Sequence, residues 1–384
     1  MDLRKLSLLA LAVVFLLSAC APNFQKKNDV VQTDNKTKEN AIIPKYKISD
    51  KYYRTILPFQ PGETRGMVVN NLNTRYDINE FETGLMRIAQ KQFDPNKYLF
   101  REGQEIKKET VKLWLNRKFN KAQLDQRKLK DSENIGLNPQ DDSGDNSTPI
   151  YLAHILEHDY LIKDSNNKVQ LGGVVIGLAM NTTYYYQTVQ YGPTYEKKLS
   201  DAEVEAQGKK IAAEVLNRLR AMKDLKDVPI TIALFKTESK TSIVPGNFFA
   251  YANASKGSSS LGSWQKVNEK YYLFPSAAAQ DAHRDDLTSF LNFKQDVEQY
   301  FPNFTGAVGK AFYVDDQLQD LTISIPIQFY GKTEAIGFTQ YVTGLVMQQF
   351  PKYISVSVSV TSVDGPEALI VRKSNQSEPF VYIY

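Results

Sequence analysis

Strand, strand, helix, strand is read twice along this chain, about 130 residues apart, and that recurrence restricts the fold more than any single motif does. In the first pass, residues 172–180 read as a buried strand, 182–190 as a second, 202–222 as an amphipathic helix and 229–235 as a returning strand. In the second, residues 306–314, 320–330, 333–349 and 353–363 take the same four places. The closing strand alternates strictly. Ile354, Val356, Val358 and Val360 share one face, and Ser355, Ser357, Ser359 and Thr361 the other, the period of a half-buried sheet strand. Pro326, inside an otherwise strong strand, predicts an edge or a bulge at that point. Residues 287–300 read as a helix joining the two units. The expected architecture is therefore α+β, with two related β-β-α-β modules on mainly antiparallel or mixed sheets, preceded by a partly helical N-terminal region.

In that region, residues 79–91 place Phe81, Leu85, Ile88 and Ala89 on one helical face, and residues 107–116 predict a second helix. Residues 120–148 are polar and end in Asn138-Pro139-Gln140-Asp141-Asp142-Ser143-Gly144-Asp145-Asn146, which predicts an exposed loop or linker. The expected divisions are 1–19 as signal peptide, 20–50 as an acylated cysteine with a disordered tether, and 51–150 as the N-terminal region. The first repeat then covers 151–265, a connecting helical segment 266–300, and the second repeat 301–384.

Only one cysteine occurs among the 384 residues, and it closes the stretch Leu17-Ser18-Ala19-Cys20. Arg4 and Lys5 precede an apolar run from Leu6 to Leu17 that is too short to span a bilayer and is followed by small residues. This is the pattern of a lipoprotein signal peptide: cleavage after Ala19 leaves Cys20 as the acylated N-terminus. The expected partners are the lipid bilayer, through acylated Cys20, and the lipoprotein-processing enzymes, with a cell-wall component as a further possible partner. The expected location is the outer face of the cell membrane. A net charge of +4 is too small to argue for nucleic acid, and no pattern calls for a cofactor.

Three motifs carry candidate chemistry. His154-Ile155-Leu156-Glu157-His158 has the H-x-x-E-H spacing of a zinc hydrolase. On a helix begun by Ser147 or Thr148 with Pro149 in its first turn, the two histidines share a face. The only other histidine is His283, so an unidentified carboxylate would have to serve as third ligand, and no metal residue is assigned. Gly257-Ser258-Ser259-Ser260-Leu261-Gly262-Ser263 has phosphate-loop spacing with Ser263 in the lysine position, which predicts a hairpin tip. Tyr184-Tyr185-Tyr186, with Tyr191 and Tyr195, forms a tyrosine cluster in which Tyr184 and Tyr186 share a strand face, an alternative surface for envelope glycan or peptide. No catalytic residue is assigned, and the expectation is a protein that is not an enzyme.

With the lipobox, the polar tether and the repeated body in hand, the chain resembles the CamS-like sex pheromone lipoproteins of Gram-positive bacteria. The resemblance covers nearly the whole chain and rests on residues 70–89, on Tyr151-Leu152-Ala153 with Ile155-Leu156-Glu157, and on residues 173–181 and 353–360. It implies a surface lipoprotein whose cleaved signal peptide is trimmed to a short hydrophobic peptide sensed by plasmid-bearing cells of another species, and a body without assigned enzymatic activity. Carried onto this sequence, the pheromone segment is Val13-Val14-Phe15-Leu16-Leu17-Ser18-Ala19, which begins Val-Val where the family's peptides typically begin Ala-Ile.

Overall fold

The computed structural model describes residues 29–33, 40–44, 47–49, 51–300 and 306–384. Cys20, residues 13–19 and the cleavage side therefore lie outside the described residues. In chain order the first part contains β1 (Asp29–Thr33), β2 (Asn40–Ile43), β3 (Arg54–Thr55), α1 (Met67–Asn71), α2 (Arg75–Ala89), β4 (Leu99–Glu102), α3 (Lys108–Leu115) and α4 (Lys121–Arg127). It continues with β5 (Leu152–Lys163), β6 (Lys168–Met180), β7 (Thr183–Tyr186), β8 (Tyr195–Lys198), α5 (Asp201–Arg220), β9 (Ile230–Lys236), β10 (Asn247–Ala254) and β11 (Gln265–Lys266). The second part holds β12 (Glu269–Phe274), α6 (Ala277–Ala282), α7 (Arg284–Tyr300), β13 (Val308–Val314), β14 (Gln317–Pro326), α8 (Lys332–Gln349), β15 (Ser355–Ser362), β16 (Gly365–Arg372) and β17 (Phe380–Ile383).

Two sheets carry the body. The first runs β11-β10-β9-β6-β5-β4-β3, with β1 and β2 attached beside β6, and the second runs β12-β13-β14-β15-β16-β17. The repeat is present, but its first copy begins one strand earlier than expected. Where a short helix is expected after Pro149, around His154 to His158, the chain forms β5, which pairs antiparallel with β6, while β6 pairs parallel with β9 across α5. In the second copy β13 pairs antiparallel with β14, and β14 pairs parallel with β15 across α8. The stretch 182–190, read as the second strand, contributes only the short β7, which pairs with β8 apart from both main sheets.

The two copies differ in how many faces are covered. α2 lays Phe81 and Leu85 against Val175, Ala179, Phe235 and Phe248 on one face of the first sheet. α5 lays Val204, Ile211 and Val215 against Val174, Ile176 and Leu178 on the other. A strand covered on both sides reads as a continuous apolar run, which is why β6 shows no alternation over residues 172–180. Its glycines let the neighbours approach. A Cβ on Gly173 would lie 2.3 Å from the Phe93 ring, and one on Gly177 would lie 2.8 Å from that of Phe81. Both long helices are capped as their sequences dictate. Thr74 accepts from the Asp77 amide at 3.0 Å, and Ser200 accepts from that of Glu203 at 3.3 Å, with Arg218 and Arg220 in the last turn of α5.

α7 and α8 cover one face of the second sheet through Leu287, Phe290, Phe293, Phe338, Val342 and Val346, packed on Leu321, Ile323, Val356 and Val358. The opposite face keeps its alternation and its serines and threonines. Pro326 is the last residue of β14, a central strand, in register with Thr361 of β15 and two residues past Ser324, the last β14 position aligned with β13, so the expected edge or bulge is corrected to a strand end.

Three expected divisions shift. Within the segment read as tether, β1 and β2 pair and bury Val31 and Ile43 against Ile56, Leu99, Leu161 and Val169, because even this polar stretch has apolar residues enough to extend a sheet. The connecting segment 266–300 supplies the edge strand β12 and the helix α7 of the second module. The N-terminal region shares its core with the first repeat. The polar segment 120–148 is exposed in part but also forms α4, closed by a reciprocal Asn120–Gln123 capping box. The 257–263 stretch is the tip of the β10–β11 hairpin, as expected. None of the described helices is long and apolar enough to cross a membrane.

Asn138, fully buried, anchors the polar segment. Its Nδ2 donates to the Leu115 and Leu152 carbonyls at 2.8 and 3.0 Å, and its Oδ1 accepts from the Tyr151 and Leu152 amides at 2.9 and 2.8 Å. Asn138→Ala leaves those buried groups without partners and is expected to lower stability by about 1 to 3 kcal/mol, read from the urea midpoint. An unchanged midpoint contradicts the anchoring role.

Candidate functional site

Because β5 is a strand, its side chains alternate, and this decides the fate of the H-x-x-E-H motif. His154 and His158 point to the α2 side of the sheet, where Phe81 of α2 and Phe100 of the neighbouring β4 meet them edge-on at 6.3 and 4.9 Å. Glu157 points to the other face, where the Glu105 and Ile106 amides donate to its Oε2 at 3.2 and 2.9 Å. Asp159, on that same face, accepts from Arg101 Nη2 at 2.5 Å. Helical spacing that brings i, i+3 and i+4 together thus separates them here. His283 stands in the second module, stacked on Tyr313 at 3.7 Å. Among the described residues no group of three or more His, Cys, Asp or Glu side chains is placed to hold a metal ion. The zinc-hydrolase alternative built on His154, Glu157 and His158 fails on this geometry.

Desolvation sets the protonation of this buried cluster. It pushes His154 down to about 4 and His158 down to about 3, so both imidazoles are neutral. It pushes the carboxyls the other way. Glu157 is held well above the carboxylate range, with the Asp159 charge adding to the effect, and Asp159 is pushed up to about 6 against the opposing pull of Arg101. The His154 Nδ1 lies 3.1 Å from Asn71 Nδ2, while its Nε2 and the Nδ1 of His158 are buried without hydrogen-bond partners.

The tyrosine cluster divides into structural and open members. Tyr184 is buried. Its hydroxyl donates to the Asn146 carbonyl at 2.8 Å and accepts from Arg117 Nη2 at 2.9 Å, and its ring stacks on Tyr186 at 5.5 Å. Tyr184 thus supports Tyr186 from below, and both, with Tyr185 and Lys240, line an open groove of about 650 Å³.

A third place was not visible in the sequence. The uncovered face of the second sheet meets one side of α2 in a cleft of about 530 Å³. While Phe81, Leu85 and Ile88 point into the first core, Tyr76, Asn79, Glu80, Thr83 and Arg87 recur at helical spacing on the side that lines this cleft. Across it stand Lys310 and Phe312 of β13, Thr322 of β14 and Ser355 of β15. Arg87 ties the two sides together. It pairs with Glu80 on its own helix, reaches Glu269 Oε2 on β12 at 2.8 Å, and lies 4.8 Å over the Phe312 ring. The Tyr271 hydroxyl donates to Glu80 Oε2 at 2.6 Å, and Lys51 pairs with Asp320 at 2.9 Å. The signals were present singly, as the polar side of α2 and the hydroxyl side of β15, and only the tertiary fold joins them.

Fold and sites together define a two-module α+β body with a ligand-sized cleft between its modules. The profile of the CamS sex pheromone cAM373 precursor family matches residues 59–378, and the chain belongs to that family. The crystal structure of the sex pheromone precursor of Lactobacillus salivarius subsp. salivarius is similar, at 31% identity and a TM-score of 0.80 over 90% of this chain and 99% of that one. The C-terminal domain of the sex pheromone staph-cAM373 precursor of Staphylococcus aureus is similar at 37% identity and a TM-score of 0.71, over 82% of this chain and 98% of that one. No curated protein sequence matches this chain significantly.

Neutral burial of the histidines has a measurable sign. An unfolded histidine takes up its proton near 6.5, well before the buried one, so stability is lost as pH falls through that value toward about 3 for His158. The raised carboxyls act in the opposite sense, and a difference between variants isolates the imidazole. Unfolded in urea at pH 7 and pH 5, His158→Leu is expected to lose about 2 kcal/mol less than the wild type between those two conditions. Identical pH dependence contradicts a buried neutral imidazole.

Proposed function

We propose that this chain is a membrane-anchored extracytoplasmic lipoprotein of the sex-pheromone precursor type. The observation that carries the reading is the placement of its only cysteine, Cys20, directly after Leu17-Ser18-Ala19 and a short apolar run behind Arg4 and Lys5, in a chain of this family. Acylation of Cys20 inserts two or three chains into the bilayer, which hold durably where one chain does not. Lipoprotein-processing enzymes release the signal peptide, and its residues 13–19 form an uncharged hydrophobic peptide that acts as the pheromone. The mature body is a non-enzymatic envelope protein that meets a cell-wall component. The geometry of His154, Glu157 and His158 supports this over hydrolysis, because the three do not converge.

Cys20→Ala tests the reading. The variant is expected to leave the membrane fraction for the medium or to persist as uncleaved precursor, with loss of acyl labelling and of the 13–19 peptide from culture supernatants by mass spectrometry. Acyl labelling that continues in the variant contradicts it.

A further inference from the structure

We propose that the cleft between the modules is a binding site for a short glycan of low net charge, a proposal that rests on the body standing at the cell envelope. Its volume of about 530 Å³ falls within the roughly 300 to 1,000 Å³ of small-ligand sites, which favour such junctions between folded units.

The chemistry of the walls selects the ligand. Tyr52, Tyr76 and Tyr353 come from three separate segments, and each lines this cleft while remaining 46%, 46% and 58% exposed. Large aromatic rings left half in water offer an apolar face with a wet hydroxyl, which suits the C–H face of a sugar ring and its hydroxyl rim together. Behind them Tyr271 and Phe312 stack on one another at 4.6 Å. Between the rings, Asn79, Gln319, Thr322 and Ser355 supply short donors and acceptors of the kind that bond sugar hydroxyls.

Charge is consistent with a ligand of low net charge. The ionic groups of the cleft pair mostly with one another, Arg87 with Glu80 and Glu269, and Lys51 with Asp320. Lys310 remains beside the Tyr271 ring, 5.6 Å from its centroid, where one ligand carboxylate is tolerated.

An extended peptide fits less well. Peptides that dock on sheets add to a free edge and draw affinity from unpaired backbone groups. The floor here is the face of β13, β14 and β15, each paired on both sides, so it offers side chains rather than a backbone ladder.

The test is titration calorimetry on the full-length protein in detergent micelles, with the N-acetylglucosamine tetrasaccharide, a peptide-free N-acetylglucosamine–N-acetylmuramic acid tetrasaccharide, and a wall stem pentapeptide as probes. One-site binding of at least one glycan is expected. Tyr76→Ala and Tyr353→Ala should each weaken it about tenfold, Tyr353→Phe should restore it by keeping the ring, and Tyr186→Ala and Tyr191→Ala should leave it unchanged. Circular dichroism melting confirms that the variants fold. Failure of both glycans to bind, binding that ignores the cleft variants, or binding of the pentapeptide alone overturns the proposal. Binding in micelles does not depend on acylation, so this outcome is separate from that of Cys20→Ala.

Discussion

Arg87 between Glu80 and Glu269 is the interaction on which the arrangement of the two modules depends. Glu80 is almost wholly buried on α2, and burial alone pushes its carboxyl up, with the Arg87 charge pulling it back down. Glu269 belongs to β12, the edge strand of the other module. One planar guanidinium serves both carboxylates and still covers the Phe312 ring, a combination that a lysine cannot reproduce. Removing one member of such a set leaves the others as uncompensated buried charge, at a cost of about 3 to 5 kcal/mol. The pair therefore acts as a clamp at the point where α2 meets the second sheet. The cleft is the space that this contact leaves beside it.

The same supersecondary unit serves two purposes because it is covered differently in each copy. In the first, helices on both faces turn residues 172–180 of β6 into an apolar run at the centre of the body. In the second, α7 and α8 take one face only, so β15 keeps valines inward and serines outward. The hydroxyl-bearing face would be ordinary solvated surface if the modules stood apart. With α2 held against its end, it becomes the floor of a site whose walls are aromatic.

Most of this architecture was legible from periodicity. The helices α2, α3, α5, α7 and α8 and the strands β6, β9, β13, β14 and β15 lie close to where their patterns put them. β5 was misread for a physical reason. His154, Leu156, His158 and Tyr160 face one buried layer while Ile155, Glu157 and Asp159 face another, so neither side is plainly polar and the period of two is hidden. A Ser-Thr-Pro start then suggested a helix. Tyr184 and Tyr186 were correctly placed on one strand face, but the sequence gives no sign that Arg117 and Asn146 arrive to bury one of them. The cleft was hidden for a third reason: its residues span positions 51 to 374, and only long-range pairing brings them together.

Differential scanning calorimetry of Arg87→Met most directly tests the claim that one buried ionic contact couples the modules. The account predicts that a single cooperative transition in the wild type separates into two, with at least one midpoint lowered, as the first and second sheets unfold independently. A single transition at an unchanged midpoint would contradict it.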